Sequence, residues 1–479
     1  MTKTILCKEG YLIPKIDKYL SDIEIAKKEL TVKPYNPYSF GKKEEPVSFT
    51  IYQENDEYLS VPKFYGLKKF GKPEIDKELK GKKIKIKFNG ELRPLQKTIV
   101  DHILSYIKIN GGGVICLPCA AGKTVLSLYL SAYLKVKVLV IVHKTFLLNQ
   151  WKERALEFTD ASIGIIQRDK IEIDGKDIVI GMLQSIAKDK YDPIIFKDFG
   201  LVIFDEAHHA PSEYFSKALP IIAAKITIGL SATPKRADKL EKILYWYLGD
   251  IMYKSEVEEN NKVLVNIVNY DIEHEKFKEF LMYTGDINRP KTINKITTIG
   301  RRNKFIINMV EQILEEEGRR ILILSDRLEH LKVLKKRLDE REIATSDFYI
   351  GGKKQKLLDI AKNAQVIFAS YGMASEGLDI PELNTLFMVT PRKEVEQSVG
   401  RVIRKINLNI RPIIYDFTDQ LNSFINQGAY RRKLYKKMGF EIKNIQVKNN
   451  KIISETIDNR IEYDTDLLKK ANEECEFID

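Results

Sequence analysis

Short, predominantly apolar runs recur along most of this chain. Val114–Leu117, VKVLVIV (136–142), IVIGML (178–183), LVIF (201–204) and ITIGL (226–230) are too short for buried helices and carry no alternation of polar residues. Such runs are the interior strands of a parallel sheet covered on both faces. Longer amphipathic stretches separate them: FNGELRPLQKTIVDHILSYI (88–107), the segment opened by Lys123 and Thr124, HKTFLLNQWKERALEF, and a helix through Gln184 and Ser185. After a charged, mixed segment the pattern repeats. Residues 301–317 read as a helix, RILILS (320–325) as a strand and Arg327–Glu340 as a helix. VIFAS (366–370) and TLFMVT (385–390) are strands, a helix carries Gln397, Gly400, Arg401 and Arg404, and RPIIYDF (411–417) is the last strand. Strands alternating with helices predict an α/β protein with two parallel-sheet domains. The expected boundaries are an accessory region at 1–87, a first sheet domain at 88–255, a second at 256–430, and a basic then acidic tail at 431–479.

Composition narrows the class. A chain of 479 residues with 44% hydrophobic and 30% charged residues has room for several cores and is not of disordered type. It contains no apolar run long enough for a membrane span and no leader with a cleavage site, so an intracellular protein is expected, with no membrane partner. Cys7, Cys116, Cys119 and Cys475 are too scattered for a disulfide framework, which fits a reducing compartment. Cys116 and Cys119 form a CxxC without a second pair, so packing rather than zinc is expected. The net charge of +12 suits a polyanionic partner. One stretch concentrates it: Lys63, Lys68, Lys69, Lys72, Lys77, Lys80, Lys82, Lys83, Lys85 and Lys87, with Tyr58, Phe64, Tyr65 and Phe70 interleaved. It reads either as a solvated surface or as a track for a nucleic-acid backbone. Segment 49–66 reads as aromatic strands broken by Pro62 and Gly66.

The polar clusters follow the strands, where ligands bind in parallel sheets. After Leu117 comes a loop of small residues, Pro118-Cys119-Ala120-Ala121-Gly122, then Lys123-Thr124. Strand, small-residue loop, Lys-Thr and helix form a triphosphate cradle. Loop N–H groups and the helix N-terminus face the phosphates, Lys123 reaches the β- and γ-phosphates, and the Thr124 hydroxyl ligates Mg²⁺. The general pattern has its first glycine where Leu117 stands. Asp205 and Glu206 follow a buried strand and divide two tasks, Asp205 holding Mg²⁺ and Glu206 activating the attacking water. Gln96 begins a helix just upstream of the loop, and its amide could read an adenine edge. Arg401 and Arg404 stand one helical turn apart, suited to the charge that develops during phosphoryl transfer.

Taken in order, these segments resemble the motifs of superfamily 2 helicases, the XPB-like branch with helicases of large DNA viruses. LRPLQ, with Arg93 and Gln96, resembles the adenine-reading motif; LPCAAGKT resembles motif I, VHKTFLLNQW motif Ia, GMLQS motif Ib, DEAH motif II and SAT motif III. ILILSDR resembles motif IV, ASEGLDIP motif V and QSVGRVIR motif VI. Ala120 stands where the family usually has glycine. The resemblance implies two tandem RecA-like domains that close on ATP with Mg²⁺ and track along a strand. It implies catalytic roles for Lys123, Asp205, Glu206, Gln397, Arg401 and Arg404, and contacts of Gly377 and Asp379 with ribose and phosphates. It implies backbone contacts from Thr145, Gln184, Ser185, Ser325, Arg327 and Ser370, and coupling through His208, Ser231 and Thr233. The expected protein is a monomeric ATP-dependent helicase or translocase, on DNA rather than RNA, serving transcription or replication in the cytoplasm, nucleus or virion of a large DNA virus. Other readings are a double-stranded DNA translocase that never separates strands, the motor of a defence nuclease, and a motor acting on protein.

Overall fold

A computed structural model describes residues 3–35, 47–117, 121–188, 191–232, 238–255, 263–376, 378, 380, 382–402 and 410–458. The chain divides into two compact units, Met1–Glu256 and Val257–Asp479.

The first unit is built on an eight-stranded sheet. Its order is Lys170–Ile171, Ile163–Gln167, Ile178–Met182, Val138–Val142, Leu201–Phe204, Ile226–Ser231, Gly112–Cys116 and Ile251–Lys254. All neighbours are parallel except the two-residue edge strand Lys170–Ile171. Strands Gly112–Cys116, Val138–Val142, Ile178–Met182 and Leu201–Phe204 are buried at every residue, which is why they read as continuous apolar runs. Helix Pro94–Asn110 leads into the first of them in chain order, and helices Lys123–Leu134 and Thr145–Phe158 connect successive strands. Connections of this kind bring the carboxyl ends of the strands, and the loops that follow, to one edge of the sheet.

The N-terminal segment forms a small five-stranded sheet in the order Gln53–Glu54, Tyr58–Val61, Gly10–Pro14, Ile5–Cys7, Ile75–Asp76. Its core runs into one face of the large sheet through helix Glu241–Leu248. Tyr65 meets Trp246 edge-on at 5.7 Å, and Lys63 Nζ donates to Lys225 O at 2.8 Å. Here the aromatic part of the aromatic–lysine pattern serves packing, while most of its lysines are exposed. Tyr58 and Tyr65 are buried, and the Phe70 ring stacks on Tyr11 at 6.0 Å. Residues Lys63–Phe70 are helical, so Tyr65 faces the core while Lys68 and Lys69 flank it outside. Lys63 is itself half-buried, in an ion pair with Glu78.

The second unit carries an eight-stranded sheet in the order Ser346–Tyr349, Val366–Ser370, Ile321–Ser325, Thr385–Met388, Ile413–Asp419, Leu264–Asp271, Glu441–Lys448, Lys451–Ile457. Two features lie outside the sequence reading. Strand Leu264–Asp271 sits in the interior, and Ile413–Asp419 is not the last strand. Beyond it, helix Asn422–Lys437 returns the chain to place Glu441–Lys448 parallel to Leu264–Asp271, and Lys451–Ile457 closes as an antiparallel edge. Arg431, part of a basic run in the sequence, is buried, clasping Asp416 through two bonds of 2.8 and 2.6 Å.

Candidate functional site

Gly122 is the residue before helix Lys123–Leu134 and holds φ +81°, a conformation open to glycine at little cost. A Cβ there would also lie 2.4 Å from Gln96 Nε2. Gln96 is buried beside the loop. Its Oε1 accepts from Arg93 N at 3.0 Å and its Nε2 donates to Ala121 O at 3.1 Å. Gln96 thus fastens the start of helix Pro94–Asn110 to the phosphate loop, while Arg93 stays exposed. Pro118, Cys119 and Ala120 lie outside the described residues. Cys116 is buried in the strand, and burial pushes its thiol pKa up.

Lys123 and Thr124 open the helix, both half-buried. The Lys123 ammonium is enclosed and finds no hydrogen-bond acceptor among the described residues; Glu206 Oε1 lies 3.8 Å away. A buried ammonium without an acceptor carries a desolvation cost that an anionic ligand would offset. Asp205 follows the end of Leu201–Phe204. Trp151 Nε1 donates to its Oδ2 at 2.8 Å and Glu206 N to its Oδ1 at 3.0 Å. Burial, then the neighbouring Glu206 charge, raise the Asp205 pKa; Lys123 and Trp151 oppose them. Two carboxylates and an ammonium converging on one strand end suit a divalent cation with a phosphate chain. Among the described residues no cluster of three or more His, Cys, Asp or Glu forms a metal cage by itself.

Glu206 itself holds a left-handed backbone, φ +48° and ψ +51°. Its Oε2 lies 3.5 Å from His208 Nδ1, and that nitrogen lies 3.1 Å from Ser231 Oγ. The structure therefore joins Glu206, His208 and Ser231, three residues separated in sequence; Thr233 lies outside the described residues. His209 stacks between its neighbours, 4.3 Å from His208 and 4.0 Å from His143.

A second set gathers beside this pair on the same edge. Thr145 is exposed at the first turn of Thr145–Phe158, and Gln167 Nε2 donates to its hydroxyl at 3.3 Å. Gln184 Nε2 donates to His143 O. Ser185 Oγ accepts from Arg168 N at 3.0 Å. Arg168 is exposed in a turn at φ +55°. In the second unit Ser325 is fully buried, its hydroxyl 3.0 Å from His330 Nδ1 and accepting from Arg327 N at 3.1 Å. It therefore orients Arg327 rather than facing solvent. The Arg327 guanidinium is held by Asn294 Oδ1 and Pro290 O. Ser370 ends its strand half-buried, opposite Ser325. Gly377, Asp379 and Arg404 lie outside the described residues, as do the side chains of Gln397 and Arg401, whose backbones are in helix Glu396–Val402. Sequence reasoning missed Trp151, His143, His209 and Arg168. Only the repeated His in DEAHH hinted at one of them.

A parallel-sheet unit with a phosphate loop and an acidic pair, followed by a second unit of the same build, defines the class of two-unit ATP-hydrolysing motors. The description "Type III restriction enzyme, res subunit" matches residues 89–236. The "Putative ATP-dependent RNA helicase L396" of Acanthamoeba polyphaga mimivirus is 35% identical over 98% of this chain and 91% of its own. The "DNA 3'-5' translocase XPB2" of Sulfurisphaera tokodaii is 32% identical over 42% of this chain and 47% of its own. Among solved structures, S. cerevisiae Dbp5 bound to RNA and ADP BeF3 matches with a TM-score of 0.52 at 12% identity, over 78% of this chain and 92% of that one, a likeness of fold. The chain belongs to the superfamily 2 helicases, in the family that includes helicases of large DNA viruses. It is an ATP-dependent, ATP-hydrolysing helicase or translocase.

Proposed function

We propose that the chain spends ATP to move along DNA, with the site at Lys123, Asp205 and Glu206 as its engine. The observation that carries this is the enclosed Lys123 ammonium, without an acceptor among the described residues and 3.8 Å from Glu206. Lys123 binds the β- and γ-phosphates. Backbone N–H groups of the loop 118–122 line the phosphate chain, and Gln96 and Arg93 flank the adenine. Thr124 and Asp205 would hold Mg²⁺, which when bound neutralises the phosphate oxygens. Glu206 orients the attacking water and takes its proton, held in place by His208. Gln397, Arg401 and Arg404 supply cationic and polar contacts to the charge that develops, and Gly377 and Asp379 contact the ribose and phosphates. His208, Ser231 and Thr233 couple this chemistry to nucleic acid held by Thr145, Gln184, Ser185, Arg327 and Ser370. Backbone contacts of this kind hold a strand with little regard to sequence.

Lys123→Ala and Glu206→Gln should remove nucleic-acid-stimulated ATP hydrolysis, with Glu206→Gln falling by about 10²–10⁴-fold while still binding ATP. Substantial turnover by Glu206→Gln would unseat it as the base. ATPase rates on single- and double-stranded DNA and RNA separate DNA from RNA action. The archaeal relative's name favours a second reading, translocation on duplex DNA without strand separation. A triplex-displacement assay beside a strand-displacement assay distinguishes the two. The working setting that fits is a monomer in a reducing intracellular compartment, alongside transcription or replication machinery.

A further inference from the structure

A hairpin in the second unit exposes what soluble proteins usually bury. Residues 281–287 form it, closed by an antiparallel bridge between Leu281 and Ile287. Met282 N donates to Asp286 O at 2.7 Å, Gly285 N to Met282 O at 3.0 Å, and the Thr284 hydroxyl to Asp286 Oδ2 at 2.9 Å. Gly285 takes φ +84° with open space around it, so the turn itself requires the glycine. The tip is therefore well built, yet it carries Leu281, Met282 and Tyr283 in sequence, and Tyr283 is 102% exposed. Three adjacent apolar side chains left in water on an ordered turn call for a covering partner.

The foundation of the hairpin says what that partner is. Asn288 N donates to Phe280 O at 2.6 Å, and Phe280 N to Thr292 Oγ1 at 3.1 Å. The hairpin thus stands on helix Arg289–Ile296. Lys278 and Lys291 lie over the Phe280 ring at 5.9 and 5.4 Å, and Lys295 is exposed on the same helix. That helix also supplies Asn294 and the Pro290 carbonyl that hold Arg327. An exposed ring and a row of cations on one short, braced segment match the two demands of a single strand: a face for a base and charges for its phosphates. We infer that the 281–287 hairpin is a base-stacking pin, with Tyr283 lying against a nucleobase while Lys278, Lys291 and Lys295 track the backbone. The inference rests on the reading of the chain as a nucleic-acid motor.

The test uses the full chain and a fluorescent twelve-nucleotide single strand, as DNA and as RNA, with 4-thiothymidine or 4-thiouridine for photocrosslinking. Tyr283→Ala should bind about 5- to 150-fold more weakly, the range for removal of one base–aromatic stack. Tyr283→Phe, which keeps the ring, should bind like the wild type, and the wild-type crosslink should map to 281–283. If the wild type bound no nucleic acid, the motor reading itself would fail. If the wild type bound and Tyr283→Ala bound equally well, with the crosslink elsewhere, the pin would be refuted while the motor stood. The apolar tip would then be a protein-docking feature.

Discussion

Glu206 occupies a left-handed backbone that a glutamate adopts only at some cost. The cost is understandable at this position. Asp205, just past the strand, is held by Trp151, and the turn at Glu206 swings the next carboxylate toward Lys123 and His208. Trp151 has a role that can be measured. Its N–H is a support for the proposed metal ligand, and removing such support typically costs 10–100-fold in metal affinity. Trp151→Phe should raise the Mg²⁺ concentration giving half-maximal ATPase by about that factor. An unchanged Mg²⁺ titration would remove Asp205 from the metal site. Lys123, Thr124, Asp205 and Glu206 could be singled out as candidates in the sequence because phosphate chemistry asks for those residue types in the loops that follow strands. Trp151 was not, because its contact spans 54 residues and nothing local distinguishes an indole that packs from one that donates.

Among the elements, strands buried on both faces announced themselves, whereas Leu264–Asp271 did not. Asn266 and Asn269 interrupt its apolar run, though Asn266 is buried, and it follows a charged segment. The Tyr58–Phe70 stretch left two readings open for a related reason: lysines alternating with rings look alike on a nucleic-acid track and on an amphipathic helix. Helix Gly300–Leu314 is tied to the sheet by Arg302, fully buried and bonded to both oxygens of Asp419 at 2.7 and 2.9 Å. Burial already raises the Asp419 pKa, against the pull of Arg302. Arg302→Met leaves that carboxylate enclosed and should cost the second unit about 3–5 kcal/mol in chemical denaturation. Beside it, His330 is buried between Ser325 and Asn303 Oδ1, and burial, then Arg302, hold its pKa well below 6.5. A base with a depressed folded pKa contributes stability above its unfolded pKa and loses it as pH falls through the folded one. The melting temperature of the second unit should therefore fall as pH drops below 6.5, and His330→Gln should flatten that fall. A wild-type melting temperature indifferent to pH there would contradict the assignment.

Across the whole molecule, the +12 charge is a poor map of where a polyanion binds. Lys63 and Arg431, conspicuous in the sequence, are committed to Glu78 and Asp416. Exposed cations beside the strand ends, such as Arg168, are fewer and more telling. Each phosphate that the protein ceases to neutralise should reduce the slope of log affinity against log salt by about 0.7–0.9. Arg168→Ala is expected to free one phosphate in this way, and a slope equal to the wild type would take Arg168 out of the track.

The placing of Leu264–Asp271 between Ile413–Asp419 and Glu441–Lys448 bears on how the protein is born. During synthesis this strand leaves the ribosome long before either neighbour exists. The second unit cannot complete its sheet until residue 457 has emerged, whereas the first unit already holds every strand of its own by residue 254. Domains finished early fold early, and those with distant pairings wait. Nascent chains halted near residue 430 should carry a protease-resistant first half joined to a second half open to cleavage, with chaperones needed only for the latter.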